Sequence, residues 1–201
     1  MKHYIKQLLR ESLLNEDDDI KQSIINLLKS GDERNIELAY ALGEGQKINV
    51  DELVISIYGD ILLNKAKGGT IKDKVLYLTN LKYLLLDNNQ LTTLKGIENL
   101  TNLEYLYLDN NELTSLPEGI SNLTNLVWLD LEDNKLTNLE GIENLTNLKR
   151  LDLHNNNITN LPEGIDKLTN LKELYLHDNP ISNSEKERIT ALLPDTNIYF
   201  Y

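Results

Sequence analysis

Two histidines and a glutamate lie at a spacing that could bring their side chains together. Glu132, His154 and His177 are 22 and 23 residues apart. Residues at such a spacing share one column if each stretch forms one turn of a stacked coil. Parallel strands lie about 4.8 Å apart, so two imidazoles and a carboxylate in that column could hold a divalent metal. We favour the simpler interpretation, exposed histidines that share a column, and predict no metal ligand and no cofactor.

A second group of side chains could supply binding energy. It consists of Tyr83, Leu85, Tyr105, Tyr107 and Trp128, and it contains the chain's only tryptophan. Tyrosine and tryptophan are preferred interface anchors, each worth about 2 kcal/mol or more when central. Aromatic residues also suit exposed strand positions without any partner. Their concentration in neighbouring copies of one sequence pattern favours a protein-binding surface.

Charged residues, mostly acidic, accompany the aromatic group. The predicted binding site is completed by Asp109, Asp130, Glu132, Arg150, Asp152, His154, Tyr175 and His177. The excess of acids predicts a protein or peptide partner with lysine or arginine and an apolar anchor, attracted by the negative field. The alternative is an acidic surface that serves only solubility.

A phrase that recurs every 22 or 23 residues must position these side chains. It reads L-x-x-L-x-L-x-x-N-x-L-T-x-L and starts at Leu81, Leu103, Leu126, Leu148 and, truncated, Leu171. A fixed period of this length indicates one supersecondary unit stacked on copies of itself. Side chains alternate along a strand, so the central leucine points inward and its variable neighbours face outward. The recurring asparagines can bond backbone groups of neighbouring turns; they are Asn89, Asn111, Asn134, Asn156 and Asn179.

The segments LKYLLLDNNQL from Leu81 and LEYLYLDNNEL from Leu103 resemble the leucine-rich repeat family. The LPEGI copies are similar to its bacterial-type 23-residue repeat, and the GIENL copies to its 22-residue repeat. The resemblance covers about residues 75–201. It implies an α/β fold, a curved leucine-rich-repeat solenoid with a parallel sheet on its concave face. It also implies that this face binds other proteins.

The remaining sequence predicts flanking units. Residues 1–66 predict an N-terminal helical domain or cap. One helix is expected near residues 5–13 and a second from Asp17. A third is expected over residues 36–42, ending at Gly43, and a fourth begins at a cap formed by Asp51. Residues 67–80 predict a hinge and an irregular first repeat beginning near Thr70. Residues 81–181 hold the repeats, and 182–201 predict a C-terminal cap of one helix, opened by a capping box at Ser184, and a strand over 198–201.

Composition narrows the class of function. The formal net charge of −12 argues against a nucleic-acid or anionic-membrane partner. The chain has no cysteine and no long apolar run, and its first residues read as an amphipathic helix, so we expect a cytoplasmic protein. Within residues 1–66 the only histidine is His3, and no catalytic set is apparent, so we expect no enzyme.

These patterns favour a non-catalytic protein-binding module. Two alternatives stay open. One is a structural or assembly component that associates through its N-terminal helices. The other is a carbohydrate or peptide binder, suggested by the exposed aromatic residues. The sequence does not define the oligomeric state.

Overall fold

The computed structural model describes residues 16–46, 48–66 and 68–201. The chain divides into two compact units, Met1–Asn80 and Leu81–Tyr201. The helix predicted near residues 5–13 lies outside the described residues. Among the described helices, none combines the length and the apolar character needed to span a membrane.

The described residues of the first unit form four helices: α1 (Glu16–Lys29), α2 (Glu33–Gln46), α3 (Val50–Lys65) and α4 (Ile71–Thr79). Apolar residues at helical spacing form its core, since Ile24 and Leu28 of α1, Ile36 of α2 and Leu62 of α3 are all fully buried.

Two helix ends differ from the prediction. Helix α2 continues through Gly43 to Gln46, because Gly43 is a packing position: a Cβ there would lie 2.1 Å from the Val50 side chain. Helix α3 is capped by Asn49, whose side chain accepts from the backbone N–H of Glu52, and not by Asp51. Asp51 lies inside the helix and accepts a hydrogen bond from the Tyr40 hydroxyl at 2.8 Å.

A capped helix occupies the segment in which the sequence predicts an irregular repeat. Thr70 and Asp73 form a capping box, in which each side chain accepts from the other's backbone N–H. This box starts α4, and Val75 and Leu78 are fully buried on it. The described residues of this segment therefore form no strand before β1.

The second unit is built on one sheet of six parallel strands in sequence order. The strands are β1 (Tyr83–Leu85), β2 (Tyr105–Tyr107), β3 (Trp128–Asp130), β4 (Arg150–Asp152), β5 (Glu173–Tyr175) and β6 (Asn197–Tyr199). Their register aligns equivalent residues of each repeat, and the central leucines Leu84, Leu106, Leu129, Leu151 and Leu174 are buried. The α/β repeat architecture predicted from the sequence is confirmed.

Short 3₁₀ helices return the chain to the next strand. They span Ile97–Asn99, Ile120–Asn122, Ile142–Asn144 and Ile165–Lys167. Each follows a glycine in the left-handed region, as Gly119 does at φ 70°. A Cβ on Gly119 would lie 2.5 Å from the Cβ of Glu98 in the preceding repeat, so the glycine allows adjacent turns to pack closely.

The predicted asparagine ladder is present. The Asn111 amide donates to the carbonyls of Leu86 and Leu108, both at 2.9 Å, and its oxygen accepts from the N–H of Leu91 at 2.8 Å. Asn134 and Asn156 make the equivalent bonds one and two repeats later. One side chain thus ties two turns of backbone together.

The C-terminal cap has the predicted helix and strand, with different boundaries. Helix α5 (Asn183–Leu192) is capped by Ser182 and not by Ser184, and β6 ends at Tyr199. The Glu185 carboxylate accepts from the Leu161 N–H at 2.9 Å and from Arg188 at 2.7 Å. Because these bonds hold Glu185 in the first turn of the helix, its backbone N–H donates to the Ser182 hydroxyl, and Ser182 becomes the cap.

Candidate binding site

The outward side chains of the sheet form two columns. We use the term strand face for these two columns together with the acidic and histidine residues just after each strand. The first column is Tyr83, Tyr105, Trp128, Arg150, Glu173 and Asn197. The second column is Leu85, Tyr107, Asp130, Asp152, Tyr175 and Tyr199. Because the parallel strands are in register, neighbours within a column are direct cross-strand neighbours.

Aromatic contacts dominate the β1–β3 end of the strand face. The rings of Tyr83 and Tyr105 are stacked, with centroids 4.4 Å apart and planes 7° apart. Tyr107 and Trp128 pack at a centroid distance of 5.4 Å and a tilt of 52°. Tyr83 is 56% exposed and Leu85 is 61% exposed, so this end presents rigid apolar surface to solvent.

Arg150 is held in the middle of the strand face by π-systems. Its guanidinium lies 4.4 Å from the Trp128 ring centroid and 4.7 Å from that of Tyr175. It also pairs with Glu173 at 3.4 Å and approaches Asp152 at 3.9 Å. These contacts fix Arg150 within the face, so its charge is already neutralised by the protein itself.

Asp109 and Asp130 are two acids beside the aromatic residues. Glu173 pairs with Arg150, whereas these two carboxylates lie in surroundings that disfavour their charged forms. Burial raises the pKa of Asp130 to about 6, and the negative charges of Asp152 and Asp109 act in the same direction. Burial also raises the pKa of Asp109. Among the residues that the structure describes, no lysine, arginine or histidine forms an ion pair with either carboxylate. A cation brought by a ligand would therefore favour the charged form of both.

His154 lies in a hydrogen-bonded cluster, which corrects the prediction that both histidines are simply exposed. Its Nε2 lies 2.6 Å from Oε1 of Glu132, its Nδ1 lies 2.8 Å from Oδ1 of Asp152, and its side chain is only 19% exposed. The His177 ring stacks on it at 4.2 Å. The predicted column of Glu132, His154 and His177 exists, and Asp152 of the neighbouring column is bonded to His154.

The charges around His154 favour its protonated form. Partial burial opposes the charged ring, but the hydrogen bond with Asp152 and the charges of Asp152, Glu132 and Asp133 outweigh it. They raise the pKa of His154 above its ordinary value. The cluster can therefore hold positive charge, either as a proton on the imidazole or as another cation.

Comparisons with known proteins agree with the repeat fold. A family model described as a leucine-rich repeat region matches residues 66–193. The chain belongs to the leucine-rich repeat family. No curated protein matches it. Leucine-rich repeat folds typically serve as protein-interaction modules and are generally non-catalytic.

Two solved structures are similar to part of this chain. A leucine-rich repeat protein of Leptospira interrogans is 39% identical, with a TM-score of 0.54; the match covers 63% of this chain and 39% of that one. The leucine-rich repeat ectodomain of the receptor kinase SOBIR1 from Arabidopsis thaliana is 24% identical, with a TM-score of 0.47 and coverages of 59% and 67%. This chain thus spans about two fifths of the length of the Leptospira protein.

All thirteen side chains predicted to form the binding site lie on the strand face of this leucine-rich repeat sheet or in the turns directly after its strands. The prediction did not include Tyr199, which is 40% exposed and stacks on Tyr175 at 4.5 Å. The signal was available in the sequence, because the alternation Asn197-Ile198-Tyr199 repeats the outward–inward–outward pattern of the earlier strands.

Proposed function

We propose that this chain is a non-catalytic protein-interaction module whose strand face binds a protein or peptide segment carrying basic and apolar side chains. The observation that carries the proposal is that exposed Tyr83 and Leu85 share the strand face with the carboxylates of Asp109 and Asp130, which form no ion pair within the described part of the chain. Acting in the cytoplasm is part of the same proposal.

The apolar part of the partner packs at the β1–β2 end. The stacked pair Tyr83 and Tyr105 has little rotational freedom left to lose, and Leu85 offers aliphatic surface beside it. Preorganised aromatic side chains bind with a small entropy cost, and a central anchor of this type contributes about 2 kcal/mol or more.

The basic part of the partner pairs with Asp109 and Asp130. Arg150 does not compete for these acids, because its guanidinium is engaged by Trp128, Tyr175 and Glu173. The net charge of −12 adds a long-range attraction for a cationic segment. Electrostatic complementarity of this kind raises the association rate and sets the orientation of the partner.

Selection from a random peptide library tests the proposal. The displayed library is selected on the wild-type chain and, in parallel, on Tyr83→Ala/Leu85→Ala and on Asp109→Asn/Asp130→Asn. Ile55→Ala is the matched control, because Ile55 is an exposed apolar residue (42%) in the first unit. Circular dichroism confirms that each variant is folded.

The wild type and Ile55→Ala are expected to enrich the same peptides, with lysine or arginine near an aromatic or aliphatic residue. The Tyr83→Ala/Leu85→Ala variant is expected to enrich none of them, and the acid variant to lose the basic positions. Enrichment of the same peptides by all four proteins would rule out the strand face. If only glycans bind in a parallel glycan array, carbohydrate recognition replaces the proposal. A concentration-dependent oligomer that forms without any ligand supports the assembly alternative instead.

A further inference from the structure

We propose that Glu132, His154 and His177 bind a divalent transition metal ion such as Zn²⁺, with Asp152 as the positioning residue for His154. The inference goes beyond partner binding and does not depend on it. It rests on the side-chain geometry in the turns that follow β3, β4 and β5.

Asp152 fixes the orientation of the His154 ring. Its side chain is almost fully buried, and its Oδ1 lies 2.8 Å from Nδ1 of His154 and also accepts from the His154 backbone N–H at 3.3 Å. A carboxylate bonded to Nδ1 leaves Nε2 as the nitrogen that can bind a metal, and this arrangement recurs around histidine ligands in metalloproteins. In this chain Nε2 is paired with the Glu132 carboxylate.

The distance between His154 and Glu132 is close to that of two metal ligands. Nε2 and Oε1 are 2.6 Å apart, whereas two ligands at about 2.0–2.1 Å from a tetrahedral Zn²⁺ lie about 3.3 Å from each other. An opening of well under 1 Å therefore admits the ion. The Glu132 side chain is 36% exposed and can make this movement. The ion then takes the place of the proton between the imidazole and the carboxylate, and that proton is released to solvent.

His177 supplies the third ligand. Its ring is nearly parallel to that of His154, at 14°, with centroids 4.2 Å apart. Its Nδ1 has no hydrogen-bond partner among the described residues. No bond through Nδ1 therefore holds this ring in place. Because imidazole nitrogens bind metals in the plane of the ring, His177 has to rotate out of the stack to turn a nitrogen toward the metal.

The donor set selects the type of metal. Two imidazoles and one carboxylate suit Zn²⁺, Co²⁺ and Ni²⁺, whereas Mg²⁺ and Ca²⁺ prefer oxygen ligands alone. Three protein ligands leave a coordination position open to solvent or to a side chain of a bound protein. The site is therefore of the open type rather than the closed, purely structural type.

Metal titration of the purified chain tests the inference. Zn²⁺ binding is measured by isothermal titration calorimetry, and the visible absorption of the Co²⁺-loaded chain reports the coordination geometry. The variants are Glu132→Gln, His177→Phe, which retains an aromatic ring for stacking, and Asp152→Asn. Glu112→Gln is the matched control, because Glu112 is an exposed carboxylate paired with Lys135 at 3.1 Å in another repeat. Circular dichroism of the metal-free proteins checks their fold.

The wild type and Glu112→Gln are expected to bind one Zn²⁺ per chain with the same affinity. Glu132→Gln and His177→Phe are expected to bind at least about 10-fold more weakly. Asp152→Asn is expected to weaken binding by about 10–100-fold and to shift the Co²⁺ absorption bands, which a merely structural role of Asp152 does not do. No binding by the wild type, or unchanged binding by both Glu132→Gln and His177→Phe, overturns the inference. Because no peptide is present, this result is independent of the test of partner binding.

Discussion

Replacing Asn111 by alanine removes a side chain that satisfies buried backbone groups of two repeats. The Leu91 N–H loses its acceptor at 2.8 Å, and the Leu86 carbonyl loses its donor at 2.9 Å. The Leu108 carbonyl keeps a donor, because Asn134 also bonds to it at 2.9 Å. Each buried group left without a partner costs about 1–3 kcal/mol, so for these two groups we expect a loss of about 2–6 kcal/mol in unfolding free energy.

Urea unfolding followed by circular dichroism and by tryptophan fluorescence measures this loss. Trp128, the only tryptophan, reports on the second unit. Asn125→Ala is the matched control, since Asn125 is exposed and makes one bond, to the Thr101 carbonyl at 2.8 Å, which water can replace. We expect this control to cost less than about 1 kcal/mol. Equal destabilisation by the two substitutions refutes the view that the asparagines hold the repeats together.

Two further predictions concern charged residues of the second unit. Arg150→Met removes the cation–π contacts with Trp128 and Tyr175 and is expected to cost about 1–2 kcal/mol; Arg150→Lys is expected to recover only part of this, because an ammonium cannot stack as a planar guanidinium does. Urea unfolding and the Trp128 emission spectrum measure both variants, and a fully restored lysine variant argues against the stacking. The second prediction uses pH: the hydrogen bond from Arg188 lowers the pKa of Glu185, despite partial burial. Its stabilising contribution is therefore present above the unfolded pKa of about 4.3 and is lost as pH falls through the lower folded value. The stability difference between the wild type and Glu185→Gln is expected to shrink from pH 7 to pH 3, and a constant difference contradicts the ion pair with Arg188.

The period of the sequence was sufficient to predict the repeat architecture and the alignment of the strand face. A spacing of 22 or 23 residues places equivalent side chains in adjacent strands, and the alternation Tyr105-Leu106-Tyr107 determines which of them face outward. The bonds of Asn111 follow from the same regularity, because its position relative to the backbone is repeated in every turn.

The contacts between the two columns could not be predicted in the same way. They depend on rotamers of long side chains, which a repeat period does not determine. Arg150 could have extended into solvent, but it lies between Trp128 and Tyr175. Likewise, Asp152 belongs to one column and His154 to another, and only the observed rotamers join them.

Helix ends were also poorly predicted, because tertiary packing overrides local signals. Gly43 reads as a stop in the sequence but lies inside α2, where the nearby Val50 side chain requires a residue without a Cβ. Ser184 reads as a cap, but Glu185 is held against Leu161 and Arg188, and Ser182 caps the helix. Neither contact is visible from neighbouring residues alone.

The affinity of a selected basic peptide for the strand face tests the central proposal most directly. The dissociation constant is measured for the wild type, Tyr83→Ala/Leu85→Ala and the control Ile55→Ala, by titration against Trp128 fluorescence and by calorimetry. We expect the control to bind as the wild type does and the double variant to bind at least about 30-fold more weakly, the equivalent of one central anchor of about 2 kcal/mol. Equal affinity for all three proteins would contradict the proposal that this leucine-rich repeat chain binds its partner through the strand face.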